Sequence, residues 1–216
     1  MNKLFQKTIV ISLGMVCSLA CSITNYYNSP EIPQEILFQD DFSDSSSGWD
    51  HININDIVTD YQDGIYRIFV NSENTDAWSN PGLDFENSLI EIEGAKIGGP
   101  DDNYFGVICR YQGPGNFYAF IISSDGYYTI SKWSNGVPHP ISSDNMEYSE
   151  VINQGFATNK LKVECSGSRL ILWVNDERLA DAVDPEFDSG DVGVIAGTFN
   201  KPGTDIKFDN LEIREP

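Results

Sequence analysis

The chain has 216 residues, 40% of them hydrophobic and 12% aromatic, and its 33 acidic side chains against 13 basic ones give a formal net charge of −20. A charge of that sign and size rules against nucleic acid as a partner, because phosphate is repelled, while the apolar and aromatic share is ample for a core and rules against a disordered chain. One domain is the expectation for the part that folds.

In chain order, the first segment is a targeting signal and must be kept out of the fold. Lys3 and Lys7 precede a run from Thr8 to Ala20 without a charged side chain, in which Ile9, Val10, Ile11, Leu13, Met15, Val16 and Leu19 are apolar. That run is short of the roughly 20 residues needed to span a bilayer. Residues 1–20 are therefore expected to be a signal peptide, and its removal takes away two lysines and no acid. The next stretch, Ser18-Leu19-Ala20-Cys21, resembles the lipobox of bacterial lipoproteins, with Ser18 standing where leucine is usual. The resemblance implies lipidation of Cys21 and an anchor at the outer face of a membrane. The alternative is ordinary cleavage that leaves Cys21 as a terminal thiol. Residues 21–35 hold Pro30, Pro33 and several turn residues without a sustained period, which reads as a linker. Fully extended, the fourteen residues 22–35 reach about 46 to 50 Å.

From residue 36 onward, short β-branched and aromatic runs are separated by Gly, Asn, Asp, Ser and Pro, and no helical period lasts three turns. Strands are expected at 36–42, 56–61, 64–71, 88–97, 104–111, 117–123, 127–133, 160–165, 169–174, 177–180, 191–198 and 205–214. Residues 36–216 are thus expected to form an all-β domain, a two-sheet antiparallel sandwich or jelly roll. Ser124-Asp125-Gly126, Asn175-Asp176 and Ser166-Gly167-Ser168 carry hairpin chemistry, and the last two make residues 160–180 a three-strand meander.

Cys109 and Cys165 are the remaining cysteines of the exported part. Period-two alternation puts Cys165 on the inward side with Leu161 and Val163, and Cys109 with Phe105 and Val107. A disulfide is expected in an oxidising compartment, the alternative being two separate buried thiols.

Three stretches carry a wider resemblance: Asp40-Asp41-Phe42-Ser43 with Gly48-Trp49, Asn103 to Tyr111 with Asn116-Phe117-Tyr118, and Ser189-Gly190-Asp191-Val192-Gly193 with Phe208-Asp209-Asn210-Leu211. Together they resemble the concanavalin A-like lectin and glucanase superfamily, in its laminin G-like and 3-keto-disaccharide-hydrolase-type branches. The resemblance spans nearly all of residues 36–215. It implies two curved antiparallel sheets whose first and last strands lie side by side, a fold that carries binders and enzymes alike.

Candidate chemistry was weighed motif by motif. Glu186-Phe187-Asp188-Ser189-Gly190-Asp191 approaches the Glu-x-Asp-x-x-Glu strand of the glucanases, but it ends in Asp191 and Ser189-Gly190 reads as a turn. Glu91 and Glu93 alternate on a strand and are followed by Gly94. Neither offers a persuasive pair of carboxylates for glycoside hydrolysis. His51 and His139 are the only histidines, without metal-ligand spacing, so zinc is not expected. Asp40 and Asp41 would meet Asp209 and Asn210 if the terminal strands pair, and a structural calcium is the cofactor expected there, with solvated acidic loops as the alternative. Sugar binding needs aromatic faces beside planar polar groups. The candidates are Arg110, Tyr104, Tyr118, Tyr128, Lys132, Asn103, Trp78 and Trp133, with Arg110 foremost on the face opposite Cys109. The alternative is that Arg110 makes an ion pair with a neighbouring acid and that the aromatics are core or rim packing. Trp173 is assigned to the core. The leading function is a cell-surface carbohydrate-binding or adhesion module, whose partner is a glycan or other surface ligand and whose only membrane contact is the lipid anchor. An exported sugar-processing enzyme and a structural or protein-interaction domain are the alternatives.

Overall fold

In β12 (Asn159–Ser166), Leu161, Val163 and Cys165 are buried while the residues between them are half-exposed, the alternation that a strand with one wet face requires. The same arithmetic repeats along the chain. A computed structural model describes residues 34–216, so the signal segment, Cys21 and the linker up to residue 33 lie outside the described residues.

Sixteen strands follow in order: β1 (Ile36–Asp40), β2 (Ile52–Ile54), β3 (Ile57–Gln62), β4 (Ile65–Val70), β5 (Asp76–Ser79), β6 (Ser88–Gly98), β7 (Asn103–Tyr111) and β8 (Phe117–Ile122) form the first half. β9 (Tyr127–Ser134), β10 (Val137–Pro140), β11 (Glu147–Tyr148), β12, β13 (Arg169–Val174), β14 (Glu177–Val183), β15 (Asp191–Thr198) and β16 (Thr204–Arg214) form the second. All twelve expected strands are present. The four others, β2, β5, β10 and β11, are two to four residues long.

They build a jelly-roll sandwich of two antiparallel sheets, with no helix among the described residues. The nine-stranded sheet runs β14-β13-β12-β6-β16-β4-β3-β2, and β1 joins it along β16. β1 and β4 share one edge of β16: Thr204 to Phe208 pair with β4, and Leu211 to Arg214 with β1. The first and last strands therefore do lie side by side. The seven-stranded sheet runs β10-β9-β8-β7-β15-β5, with β11 also on β9.

Turns behave as their chemistry dictates. Asn175 and Asp176 both take positive φ between β13 and β14, the geometry of a tight hairpin, and the 160–180 meander is β12-β13-β14. Between the sheets, Phe105, Val107 and Cys109 of β7 face Leu161, Val163 and Cys165 of β12, and a Cys109–Cys165 disulfide ties one sheet to the other. Trp173 is a correction: it is half-exposed on the outer face of its sheet, with the Lys162 ammonium 5.8 Å from its ring centre, because Leu170, Leu172 and Val174 take the inward positions of β13.

Candidate functional site

Two faces of the seven-stranded sheet must be kept apart, and a β-bulge in β7 decides which residues belong to which. Opposite Asp191 to Gly193 of β15, the pairing advances from Tyr111 to Ile108, one residue more on β7 than on its partner. Arg110 absorbs the extra residue at φ 54° and breaks the alternation. Its side chain is 2% exposed, and its guanidinium donates to the backbone carbonyls of Phe187 (2.8 Å) and Glu86 (3.0 Å). The assignment of Arg110 to a ligand-facing position is thus corrected. Alternation alone places it beside Ile108 on the outward side, and the bulge turns it in.

Two more candidates work beside it. Tyr118 donates to the Asp184 carboxylate (2.7 Å) and accepts the Phe187 amide (3.1 Å); burial pushes its pKa up to about 12. Lys132 pairs with Asp184 (2.6 Å) and Glu186 (2.7 Å). Arg110, Tyr118 and Lys132 therefore clamp the segment that leads from β14 to β15, and Glu186 of the glucanase-like motif is held in an ion pair. Asp191 of that motif accepts three backbone amides, from Gly82, Leu83 and Val192. Tyr128 donates to Glu147 (3.1 Å), and Asn103 is buried against Pro100 and Ser124, closing the turn before β7. Five of the eight expected ligand residues thus serve the scaffold.

The other three, Trp78, Tyr104 and Trp133, come together on the outward face. There a second apolar cluster, separate from the main core, is built on Ile108, Phe117, Ala119, Ile121, Trp133 and Ile195, with Trp78, Tyr104 and Tyr111 half-exposed against it. Phe117 stacks on Trp133 (5.2 Å between centroids, 14° between planes) and lies 5.7 Å from Trp78 and 5.9 Å from Tyr111. This row of rings crosses the sheet. Tyr104 lies apart from it, packed on Phe199 at 5.2 Å and directly over Gly197, where an added Cβ would come 2.2 Å from the ring.

Beside the row the face opens into two hollows. One, of about 370 Å³, is lined by Tyr104, Trp133, Pro138, Pro140, Met146 and Phe199, with Asn74, Thr129, Ser131 and Thr198 as its polar groups. The other, of about 310 Å³, lies where the β5 edge meets the β2–β3 hairpin and is lined by Asp50, Asp76, Trp78, Tyr111 and the isoleucines 52, 54 and 57. Asp76, which lines the second hollow, pairs with Gly197 directly beneath the ring of Tyr104, which lines the first. Tyr111, Phe199, Asp76, Thr129 and Ser131 were not singled out by sequence. Of these, Tyr111, Thr129 and Ser131 lie on the expected strands that carry the named candidates, so their place was readable though their role was not.

On the nine-stranded sheet, pairing of β1 with β16 does bring Asp40, Asp41 and Asn210 to one open hollow of about 520 Å³, with Asp44 and Glu212. Asp209 is not among its walls. Its carboxylate accepts the Asn210 amide, at a bulge where Asn210 has φ 55°. Asp40 is already engaged by three donors, the Phe42 amide, the Ser47 hydroxyl and the Trp49 indole. Asp41 caps Ser43 through its amide and hydroxyl. Among the described residues no group of three or more His, Cys, Asp and Glu side chains is placed to hold a metal ion.

Comparison with known proteins gives fold and no more. No protein-family model matches the sequence, and no curated protein does. Solved structures do resemble it. A carbohydrate-binding module, CBM66, from Bacillus subtilis superposes with a TM-score of 0.63 at 17% identity, covering 78% of this chain and 96% of that one. A Bacillus subtilis protein of unknown function with a galectin-like fold gives 0.60 at 8% identity over 84% and 97%. The GH43 protein BlXynB from Bacillus licheniformis gives 0.61 at 11% over 88% of this chain and 41% of that one, so the chain spans about two fifths of that protein. The architecture shared with these structures is the two-sheet antiparallel jelly roll.

Proposed function

We propose that this is an exported carbohydrate-binding domain that takes glycan on the outward face of its seven-stranded sheet. The observation that carries the reading is the face itself. A sheet side turned away from the core is expected to be polar, and this one instead bears a row of aromatic rings, Trp78 and Tyr111 half-exposed beside the buried Phe117 and Trp133, next to two hollows with a few convergent polar groups. Aromatic faces match the apolar C–H side of a pyranose, and Asn74, Thr129, Ser131 and Asp76 can hydrogen-bond its hydroxyls. The likeness to a carbohydrate-binding module supports this, and the cross-sheet disulfide supports an oxidising, extracellular setting. The lipid anchor at Cys21 belongs to the same proposal, and acyl mass on the amino-terminal peptide of the mature protein is its test.

A glycan array followed by calorimetry tests the binding, run with calcium and again with chelator. Binding to one or more glycans is expected, with Tyr104→Ala and Trp133→Ala each weakening it about tenfold or more, the cost of losing one stacking contact of roughly 1.5 kcal/mol. Hydrolysis of a bound glycan would move the protein to the sugar-processing enzymes, and silence across the array would leave a structural or protein-interaction domain.

A further inference from the structure

The outward face also holds a carboxylate with no cation beside it. Asp76 leaves β5 on the outward side, two residues before Trp78, and pairs with Gly197, with which Tyr104 pairs from the other side and over which its ring lies. It is half-buried, and burial holds its pKa above the usual carboxylate range; its own amide and the Tyr104 hydroxyl are the groups that oppose the shift. Neither hollow has a lysine or arginine in its walls, and Asp50 adds a second acid to the one at the β5 edge. A wall of this kind accepts hydrogen bonds from hydroxyls. It offers no cation to a ligand carboxylate or sulfate, which would be brought into a poorly solvated site against like charge.

We propose that this cation-free hollow selects uncharged glycan chains and rejects uronic-acid and sulfated ones, with Asp76 as the discriminating residue. The proposal rests on the glycan-binding reading above and narrows its ligand class. The chain's overall charge of −20 would also repel anionic polymers, but that effect is long-ranged and is screened by salt, whereas repulsion from a half-buried neighbour is screened far less.

The experiment measures binding of the purified protein to neutral polymers (xylan, β-glucan, galactan, levan) and acidic ones (polygalacturonate, alginate), at about 0.1 M and about 0.5 M salt, where the Debye length falls from roughly 10 Å to half that or less. Neutral polymers are expected to bind and acidic ones not to, at both salt concentrations. In Asp76→Asn, checked for an unchanged melting profile, the acidic-to-neutral affinity ratio should rise about tenfold or more, as expected from removing one close like charge. Tyr104→Phe, which keeps both the ring and the carboxylate, should leave that ratio low. Equal binding of acidic and neutral polymers by the parent protein, or a ratio unmoved by Asp76→Asn, overturns the selectivity while leaving glycan binding intact. Binding to neither class overturns the glycan-binding reading and the selectivity with it.

Discussion

The guanidinium of Arg110 is a buried cation whose hydrogen bonds go to neutral carbonyls, those of Phe187 and Glu86, while its Nε has no partner among the described residues. Burial accordingly lowers its pKa from the usual arginine range, though Tyr118, Asp188 and Glu86 nearby oppose the shift. Arg110→Ala leaves both carbonyls without their charged donor, and the expected loss is about 2 to 3 kcal/mol, read from the denaturant midpoint. If the variant unfolds at the parent's midpoint, Arg110 is not holding that segment. Asp184 in the same clamp makes stability depend on acid. Burial alone would raise its pKa, but Lys132 and Tyr118 donate to it and hold it below the usual value of 3.8. A carboxyl depressed on folding contributes stability that is complete above its unfolded pKa and disappears as pH falls through the folded one. The stability gap between the parent and Asp184→Asn should therefore be constant from neutral pH to about pH 5 and close below about pH 4. Urea unfolding along that pH series measures it, and a gap that persists in acid would contradict the ion-pair account.

Within the elements, the outward face depends on where β15 omits side chains. Gly197 has no Cβ because the ring of Tyr104 occupies that space. Gly197→Ala should lift the ring off the sheet, costing about 1 to 3 kcal/mol of stability as an overpacked site does, and weakening glycan binding with it. Calorimetry and a melting curve on one variant read both effects; a loss of stability with unchanged affinity would separate Tyr104 from the ligand. The same elements explain what the sequence could and could not reveal. Long strands such as β7, β12 and β16 were legible because alternation repeats over many residues. β5 (Asp-Ala-Trp-Ser) and β10 (Val-Pro-His-Pro) were not, since four residues hold no countable period and prolines argue against a strand except at an edge, where β10 lies. The site was half legible for a related reason. Alternation correctly grouped Tyr104 with Ile108 and opposed them to Cys109, but one inserted residue at Arg110 reversed the faces beyond it, hiding Tyr111 and misplacing Arg110. No composition signal marks a bulge at an arginine.

For the molecule as a whole, the question is what keeps two sheets together when the surface carries so many like charges. The main core between the sheets is apolar, and through it runs one covalent link, Cys109 on β7 to Cys165 on β12, closing a separation of 56 residues. The bond restricts the unfolded chain, in which acidic segments repel one another, more than it changes the folded one. Both cysteines are fully buried among Val107, Val163 and their neighbours, so a pair of alanines leaves a small apolar void without any unsatisfied polar group. The expected cost of Cys109→Ala with Cys165→Ala is about 2 to 5 kcal/mol. For a domain of this size that corresponds to a fall in melting temperature of roughly 5 to 15 °C. Calorimetric scans of the parent, with and without reductant, and of the double variant decide it. Reductant should lower the parent toward the variant and leave the variant unmoved. Raising the salt should narrow the gap, because screening reduces the repulsion that expands the unlinked chain. Equal melting of all three would mean that the sheets are held by packing alone.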